Sequence, residues 1–401
     1  MKKIVSVLNI LILLLVMSTV LFAQEKKPEK VLRIVYETKP DEWYREQAKL
    51  WKKEVDKNPK NVEAWHNYYN AVRYENYVKT ISTKEKQEKL QKIVDGLGKH
   101  VPESYEYYYL KFFNCAGKSK DINDLKKAHE IAPERPDPLY ELITHHELNG
   151  DETKVTYYYK KLYETKDIAP WLVNYNYNVL MSTEENAIIF TNGDNDTYPA
   201  RMLQEAKGIR TDVTVVNIPM SGSDTFLERV LKKRGIKIYR QELFKKAVTI
   251  GKDGAKKFSI SVFAREVCKY LSNNYPEIPI YFALTVYEEH FKPLKDDLYI
   301  VGLAYRYSPK RFDNIAITKK NLENNFRLDY LKYDWYNDLY PGLNLMNQMH
   351  LNYVPGMMML VEHYKTSGQQ EKMRIWKSVA TELAKRAGRE QWIQDIERKG
   401  M

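Results

Sequence analysis

Residues Ala187–Met220 read AIIFTNGDNDTYPARMLQEAKGIRTDVTVVNIPM, and the fold of the central region is most directly predicted from them. Apolar, β-branched runs at Ile188–Phe190 and Val213–Val216 predict two strands buried on both faces, which is typical of a parallel sheet. Between them, Tyr198–Lys207 has helical periodicity, with a proline in the first turn, where it costs no hydrogen bond, and a glycine just after the end. The stretch therefore predicts a strand, a polar loop, a helix and a second strand.

The polar loop Asn192–Thr197 is expected at the carboxyl end of the first strand, which is where ligands bind in open α/β sheets. Two interpretations of the loop are open. It is either a tight turn, in which Asn-Gly supplies a left-handed residue and Asp196 or Thr197 caps the helix, or a binding site. In the second case Asp194 and Asp196 would hold a divalent cation or accept hydrogen bonds from a sugar or a peptide.

Other turns contribute further candidates to the same edge of the sheet. Ser221-Gly222-Ser223 follows the second strand and could present N–H groups to an anion, and Glu288 follows a later predicted strand. The candidate ligand-binding residues are Asn192, Gly193, Asp194, Asn195, Asp196, Thr197, Tyr198, Ser221, Ser223 and Glu288. The sequence contains no phosphate loop, nucleophile elbow, zinc-protease helix or dinucleotide fingerprint, so we assign no catalytic residue.

The loop also carries a family resemblance. NGDNDTYPARMLQEAKGIRTDVTVVNI, with the later stretches Ile280–Thr285 and Gly302–Tyr307, resembles the soluble C-terminal module of bacterial transmembrane O-mannosyltransferase-like proteins, a domain of unknown function. In that family the module follows a multi-spanning membrane domain that performs the glycosyl transfer, and this chain has no counterpart of it. The resemblance therefore implies an extracytoplasmic accessory module and does not carry over the transferase activity.

The amino terminus predicts export. Lys2 and Lys3, the apolar run Ile10–Val16 and a small-residue region ending at Ala23 form a secretory signal peptide, with an uncleaved anchor as the alternative. No later stretch has the roughly 18 continuous apolar residues that a membrane-spanning helix needs. We therefore expect a periplasmic protein, with cleavage after Ala23.

Composition narrows the classes of partner. The formal charge of +11 would suggest nucleic acid in a cytosolic protein. In an exported one it indicates phosphorylated lipid headgroups, acidic glycans or solubility, so we predict no nucleic-acid partner. The only cysteines, Cys115 and Cys268, fit no zinc pattern and are either free thiols or one long-range disulfide.

Three Tyr-rich segments upstream of the central region predict helical repeats. Pro102, Pro136 and Pro170 precede them at a spacing of 34 residues, the tetratricopeptide period, and turns follow at Gly117 and Gly150. Each segment is followed by a second helical pattern or by the central unit. Such helix pairs stack to bury their apolar faces and form a concave surface that commonly takes a peptide or a protein.

Downstream of the central unit, Asp224–Arg234 predicts a helix, and Ile278–Val286 and Leu298–Tyr305 predict two more strands. Residues 229–257 are rich in Lys and Arg and predict a solvated, mobile insertion, interrupted by Gly251 and Gly254, with a phosphate- or glycan-facing lip beside the loop as the alternative. The fold class is thus α/β plus all-α. The predicted domains are a signal peptide (1–23), a linker or short strand (24–40, with the strand at 31–36), tetratricopeptide-like helical repeats (41–183), a Rossmann-like α/β module of at least four strands (184–316) and a C-terminal helical-repeat region (317–401).

These features support two functions of different classes. The first is an exported binding or scaffold protein, whose helices hold a protein or peptide and whose acidic loop lines a second site, accessory to protein glycosylation or envelope assembly. The second is a metal-assisted enzyme acting on glycans or glycosylated polypeptides through Asp194 and Asp196, with a divalent cation as its cofactor. Peripheral contact of residues 229–257 with a membrane surface is a third, minor alternative.

Overall fold

The computed structural model describes residues 26–77, 83–114, 122–223, 225–250, 256–333 and 339–399. The predicted signal peptide, Cys115, and the turn glycines Gly117, Gly251 and Gly254 lie outside these ranges. The described residues form two compact units, one within residues 1–34 and 38–132 and one within residues 35–37 and 133–401.

The described part of the first unit is helical. Its helices are α1 (Asp41–Lys57), α2 (Val62–Tyr74), α3 (Lys84–His100), α4 (Tyr105–Phe113) and α5 (Ile122–Ile131). α1 packs on α2 and α4 packs on α5, so that helices adjacent in sequence form pairs. The described residues before α1 form a turn and extended chain, without the short strand considered for residues 31–36.

Side chains of the first unit show why these helices form where they do. Asn61 and Ser104 each precede a helix and accept a hydrogen bond from the third residue beyond them, Ala64 N at 3.1 Å and Tyr107 N at 3.2 Å. These caps satisfy N–H groups that have no partner within the helix. The core of the unit is aromatic and aliphatic, with these side chains at most 2% exposed: Tyr44, Tyr69, Leu90, Leu97, Leu110 and Leu125.

The second unit is built on a five-stranded mixed sheet. Its strands are β1 (Ile188–Thr191), β2 (Thr214–Asn217), β5 (Ile280–Ala283), β6 (Leu298–Ile300) and β7 (Ala304–Tyr307), in the order β2-β1-β5-β7-β6. β1 is parallel to both β2 and β5, whereas β7 is antiparallel to β5 and β6. All four residues of β1, β2 and β5 are buried, which agrees with the near-continuous apolar runs in the sequence.

The strand predicted over Leu298–Tyr305 is instead a hairpin, because Gly302 reverses the chain within it. Gly302 has φ +115°, a conformation that a residue with a side chain rarely adopts. A Cβ atom there would lie 2.6 Å from the ring of Phe326, so the position has no room for one.

Along the chain, helices both precede and follow the strands of this sheet. Before β1 come α6 (Asp137–Asn149), α7 (Glu152–Thr165) and α8 (Pro170–Met181); after β7 come α15 (Ile315–Lys320), α16 (Leu343–His350), α17 (Val354–Thr366), α18 (Gln370–Arg386) and α19 (Glu390–Lys399). α6 packs on α7 and α17 packs on α18. The left-handed glycines Gly150 and Gly368 form the turns of these two pairs. The unit is thus a small mixed sheet among many helices.

The described residues of the connection from β2 to β5, which include much of the predicted solvated insertion, form helices and a pair of strands. After β2 the connection contains the short helix α10 (Ile218–Ser221), α11 (Phe226–Lys232), α12 (Arg240–Ala247), the hairpin β3 (Val248–Ile250) and β4 (Lys256–Phe258), and α13 (Ile260–Asn274). α14 (Glu288–Phe291) follows β5. Phe244 stacks on Phe258 with ring centroids 4.5 Å apart, and Arg240 is only 3% exposed. The basic segment therefore also contains an aromatic cluster, which its charge pattern does not indicate. Within the described residues, no helix is both long enough and apolar enough to cross a membrane.

Candidate functional site

The acidic loop, residues 192–197, lies at the topological switch point of the three parallel strands. From β1, the middle one of the three parallel strands, the chain passes to β2 on one side and later returns to β5 on the other side. The carboxyl ends of β1 and β5 are adjacent because the two strands are parallel partners. In open α/β sheets such a position is the usual place for a ligand. The helix after the loop, α9, spans Asp194–Lys207.

The carboxylate of Asp196 is engaged by the loop itself. Its Oδ2 accepts the backbone N–H of Asn192 at 2.7 Å, and its Oδ1 accepts that of Gly193 at 2.8 Å. The hydroxyl of Thr285, just beyond β5, also donates to Oδ2. Burial raises the pKa of this carboxyl, and the three hydrogen bonds oppose that rise. These hydrogen bonds tie the loop after β1 to the end of β5. Asp196 is only 2% exposed, so its carboxylate is nearly inaccessible to solvent.

The helix begins at Asp194, four residues earlier than predicted, and this changes the roles of the loop residues. Gly193 is the N-cap, and its carbonyl accepts the N–H of Thr197 at 3.0 Å. Neither Asp196 nor Thr197 caps the helix as predicted. Gly193 has φ −175°, so the left-handed turn expected for Asn-Gly does not form.

Asp194 and Asp196 do not converge. They are two residues apart on one helix and therefore point about 200° apart around its axis. Asp194 is exposed, whereas Asp196 is buried. Among the described residues, no group of three or more His, Cys, Asp and Glu side chains is arranged to hold a metal ion. For a metal-assisted reaction the loop thus offers one reachable carboxylate instead of two.

The other loop candidates have mostly structural contacts. The hydroxyl of Thr197 lies 2.8 Å from that of Thr191 and accepts Nδ2 of Asn217 at 3.0 Å, which links the ends of β1 and β2. The hydroxyl of Tyr198 lies 2.5 Å from that of Thr144 on α6. Asn195 donates to the carbonyl of residue 35 at 3.5 Å.

The contacts of Ser221 and Glu288, two candidates outside the loop, do not include Asp196. Ser221 is buried, and its hydroxyl donates to the carbonyl of Ile218 at 2.6 Å. Ser223 lies in the turn after α10, a helix of four residues. Glu288 is exposed and pairs with Lys295 at 3.2 Å. The structure therefore joins Thr285, and not Glu288, to the acidic loop.

A proline inside α9 explains a buried residue that the sequence analysis missed. Pro199 has no N–H, so the carbonyl of Asn195, four residues earlier, lacks its helical donor. Nδ2 of Asn176 on α8 donates to that carbonyl at 2.9 Å and to the carbonyl of Leu172 at 2.9 Å. Asn176 is fully buried. The three asparagines in the Tyr-rich segment NYNYN were the available signal, because a buried helix seldom carries asparagine without a partner.

Arg210 is a second residue whose role the sequence did not reveal. Its guanidinium donates to the carbonyls of Leu180, Thr183 and Glu184 at 2.8–3.1 Å and to both oxygens of Asp212 at 2.9 Å. It therefore holds the end of α8 against the turn before β2. This contact accounts for Arg and Asp in the stretch IRTDV.

Described residues of the second unit line a large groove and a smaller cavity. One is a groove of about 840 Å³ between α17 and α19, lined mainly by apolar side chains and also by Glu362 and Asp395. The other, of about 250 Å³, lies along β2 and includes Thr197 and Asn217 among its lining residues. Cys268 is a free thiol in the core, where burial raises its pKa. It is therefore not poised to react.

Part of the second unit is similar to a known protein family. Residues 172–236 match the family model TMEM260-associated domain 2. That family is linked to TMEM260, an O-mannosyltransferase-like protein. The matched residues run from within α8 through the acidic loop to just beyond α11, so the similarity to this family covers only a short part of the chain. No curated protein matches the chain.

Proposed function

We propose that this protein is an exported binding or scaffold protein of the cell envelope, which holds a protein or peptide partner on its helices. In this proposal the flanking helix pairs are tetratricopeptide-like and the sheet with its helices is a Rossmann-like accessory module. The predicted signal peptide would place the protein in the periplasm. The match to a domain linked to an O-mannosyltransferase-like protein supports a role close to protein glycosylation, without assigning that reaction to this chain.

The groove between α17 and α19 is the observation that carries the proposal. Met358 and Met359 lie on α17, and Trp392 and Ile396 lie on α19, facing the same groove. Trp392 is 38% exposed, which is unusual for a side chain of this size. Methionine adapts its shape and is common at surfaces that bind apolar segments. An apolar cleft of this volume is suited to the side chains of a bound helix or peptide.

Charge at the groove narrows the chemistry of the partner. Glu362 lies on α17 and Asp395 on α19, and both line the groove. Asp395 is paired with Arg398 at 2.7 Å, whereas Glu362 has no ion-pair partner among the described residues. We therefore expect an apolar segment that carries a basic residue, which would lie against Glu362. A second ligand at the acidic loop could reach only its exposed side, around Asp194.

Site-specific photo-crosslinking tests this function. A photoreactive amino acid at Met359 should form a discrete adduct with a partner in intact cells, identified by mass spectrometry. The matched control is Ile375 on α18, which is 54% exposed but does not line the groove. A partner adduct at Met359 that is absent at Ile375 and lost with Glu362→Lys supports the proposal. The same adducts at both positions, or none at Met359, would contradict it.

A further inference from the structure

The cavity along β2 is formed by elements that are separate in sequence. β2 is the edge strand of the sheet, and the cavity is lined mainly by β2 itself, by α9 and by α11, with one residue each from α6 and α7. It is half-enclosed and predominantly polar, unlike the apolar groove of the C-terminal helices. Four cationic side chains line it: Arg201, Arg229, Lys233 and Arg234.

Two of these cations are neutralised by carboxylates. Arg201 lies between Glu147 at 3.4 Å and Glu205 at 2.9 Å. Lys233 pairs with Glu152 at 2.5 Å. These ion pairs account for both carboxylates among the lining residues, Glu147 and Glu152. The other two cations of the cavity, Arg229 on α11 and Arg234 just after it, are not part of these ion pairs.

Arg229 and Arg234 have only uncharged partners. Arg229 donates to the carbonyls of Glu147 and Leu148, the latter at 3.1 Å, and to the hydroxyl of Thr225 at 3.2 Å. Arg234 donates to the side-chain oxygen of Asn186 at 2.7 Å. Within the described residues, neither guanidinium has a carboxylate within ion-pair distance. α11 and the residues just after it therefore carry two positive charges that no carboxylate of the described residues pairs with.

Uncharged donors of β2 line the same cavity. Thr214 is 9% exposed, and no hydrogen-bond partner for its hydroxyl occurs in the described part of the chain. The N–H of Thr214 donates to Ala187 in the sheet, at 2.8 Å. Because backbone groups alternate along a strand, the N–H of Val215 points to the other side, at the open edge. An edge amide and a hydroxyl thus lie beside the unbalanced guanidinium groups.

We propose that this cavity binds a small ligand through an oxyanion, either a phosphate monoester or a carboxylate. Arg229 and Arg234 would supply the counter-charges, because a planar guanidinium matches both groups through paired hydrogen bonds. The hydroxyl of Thr214 and the N–H of Val215 would donate further hydrogen bonds to the oxyanion. The volume of about 250 Å³ suits a small anion or a small sugar derivative and not a polymer segment.

Calorimetric titration of the full mature chain at low salt tests the site with three probes: inorganic phosphate, glucose 1-phosphate and glucuronate. We expect saturable binding of at least one probe, weakened by added salt. Phosphate and glucose 1-phosphate binding without glucuronate would identify a phosphate site, and the reverse pattern a carboxylate site. If none of the three binds at millimolar concentrations, the proposal is overturned.

Matched variants locate the binding. Arg234→Gln and Thr214→Val should each weaken the bound probe by about tenfold, the effect of one strong hydrogen bond. Lys232→Gln removes the same charge from an exposed residue of α11 that does not line the cavity, and should change affinity by less than about twofold. Equal weakening by Arg234→Gln and Lys232→Gln, or none by Thr214→Val and Arg234→Gln, would mean that the anion binds elsewhere. Thermal unfolding of each variant verifies that it is folded.

Discussion

The acidic loop and the cavity along β2 both involve α9, and they differ in what their polar groups contact. In the loop, Asp196 is buried and its oxygens accept three hydrogen bonds from the protein. In the cavity, Arg229 and Arg234 have no carboxylate partner among the described residues, and the hydroxyl of Thr214 has no partner there either. The loop with the densest run of polar residues thus has a structural role. The polar groups available to a ligand come instead from residues that are far apart in sequence.

The largest effect on the free energy of unfolding should follow from removing the charge of Asp196. Asp196→Asn replaces an acceptor oxygen by an NH2 group, which would face the N–H of Asn192 or Gly193 and leave buried donors without a partner. We expect a loss of about 3 kcal/mol in the free energy of unfolding. Chemical denaturation measures it, with Asp194→Asn as the control, since that exposed carboxylate should change stability by at most about 0.5 kcal/mol. A larger effect at Asp194 than at Asp196 would reverse the assignment.

A pair of glycines sharpens the same comparison. Gly302→Ala places a Cβ atom 2.6 Å from the ring of Phe326 at a φ of +115°, so we expect a loss of about 2–3 kcal/mol. Gly193→Ala meets no atom within 4 Å and has an extended backbone, so its cost should be below about 1 kcal/mol. Thermal unfolding of the two variants side by side gives the difference. Comparable losses would show that the outer side of the loop is packed in solution.

His350 presents a third arrangement, in which polar atoms are buried and have no hydrogen-bond partner. Both ring nitrogens lack one among the described residues, and the ring packs against Trp171 and Tyr330. Burial and, to a lesser degree, Arg386 lower its pKa from 6.5 to about 3. The folded state therefore keeps the imidazole neutral, while the unfolded chain takes up a proton below pH 6.5. This contribution to stability is complete above that pH and decreases as the pH falls toward 3.

His350→Phe removes this titration. Between pH 7 and pH 5 the native chain should lose about 2 kcal/mol of unfolding free energy that the variant retains. At pH 7 the variant should be more stable by about 1 kcal/mol, since no donor is buried without a partner. Denaturant titrations at the two pH values measure both quantities. Parallel pH profiles for the two proteins would indicate that water or another group satisfies the ring.

The smallest effect on stability is expected at the groove. Trp392→Ala should cost less than about 1.5 kcal/mol because the side chain is partly exposed and leaves a cleft that solvent already reaches. Ile375→Ala, at a more exposed apolar residue outside the groove, should cost less still. Only the first variant should abolish crosslinking from Met359. A large destabilisation by Trp392→Ala, with crosslinking unchanged, would assign this tryptophan to packing.

Local sequence signals predicted the elements of the central unit better than the contacts among them. The apolar runs at β1, β2 and β5 located three adjacent strands, because residues buried on both faces leave a continuous pattern. The start of α9 was missed, because the acceptor role of Asp196 toward the preceding amides is not visible in residue type alone. The hydroxyl of Thr285 lies 89 positions away from Asp196 in sequence, and only the pairing of β1 with β5 brings the two together.

The cavity was less predictable than the loop. Charge density identified residues 229–257 as basic, but it did not show that Arg229 and Arg234 face β2 while Arg240 is buried in an aromatic cluster. The groove has the same difficulty, since methionines at helical spacing are equally typical of a core. In both places the deciding property is which side chains lack a protein neighbour, and that depends on tertiary packing.

The bond from Asn176 to the carbonyl left bare by Pro199 bears on how this protein can be divided. The 34-residue spacing predicts that α8 belongs with the preceding helices, yet its residue Asn176 completes the hydrogen bonding of α9, which follows β1. Asn178 on the same helix bonds both backbone groups of Arg327, far toward the carboxyl terminus. A truncated chain that starts at residue 184 would therefore expose unsatisfied backbone on two fronts, whereas one that starts before Pro170 would retain both ties.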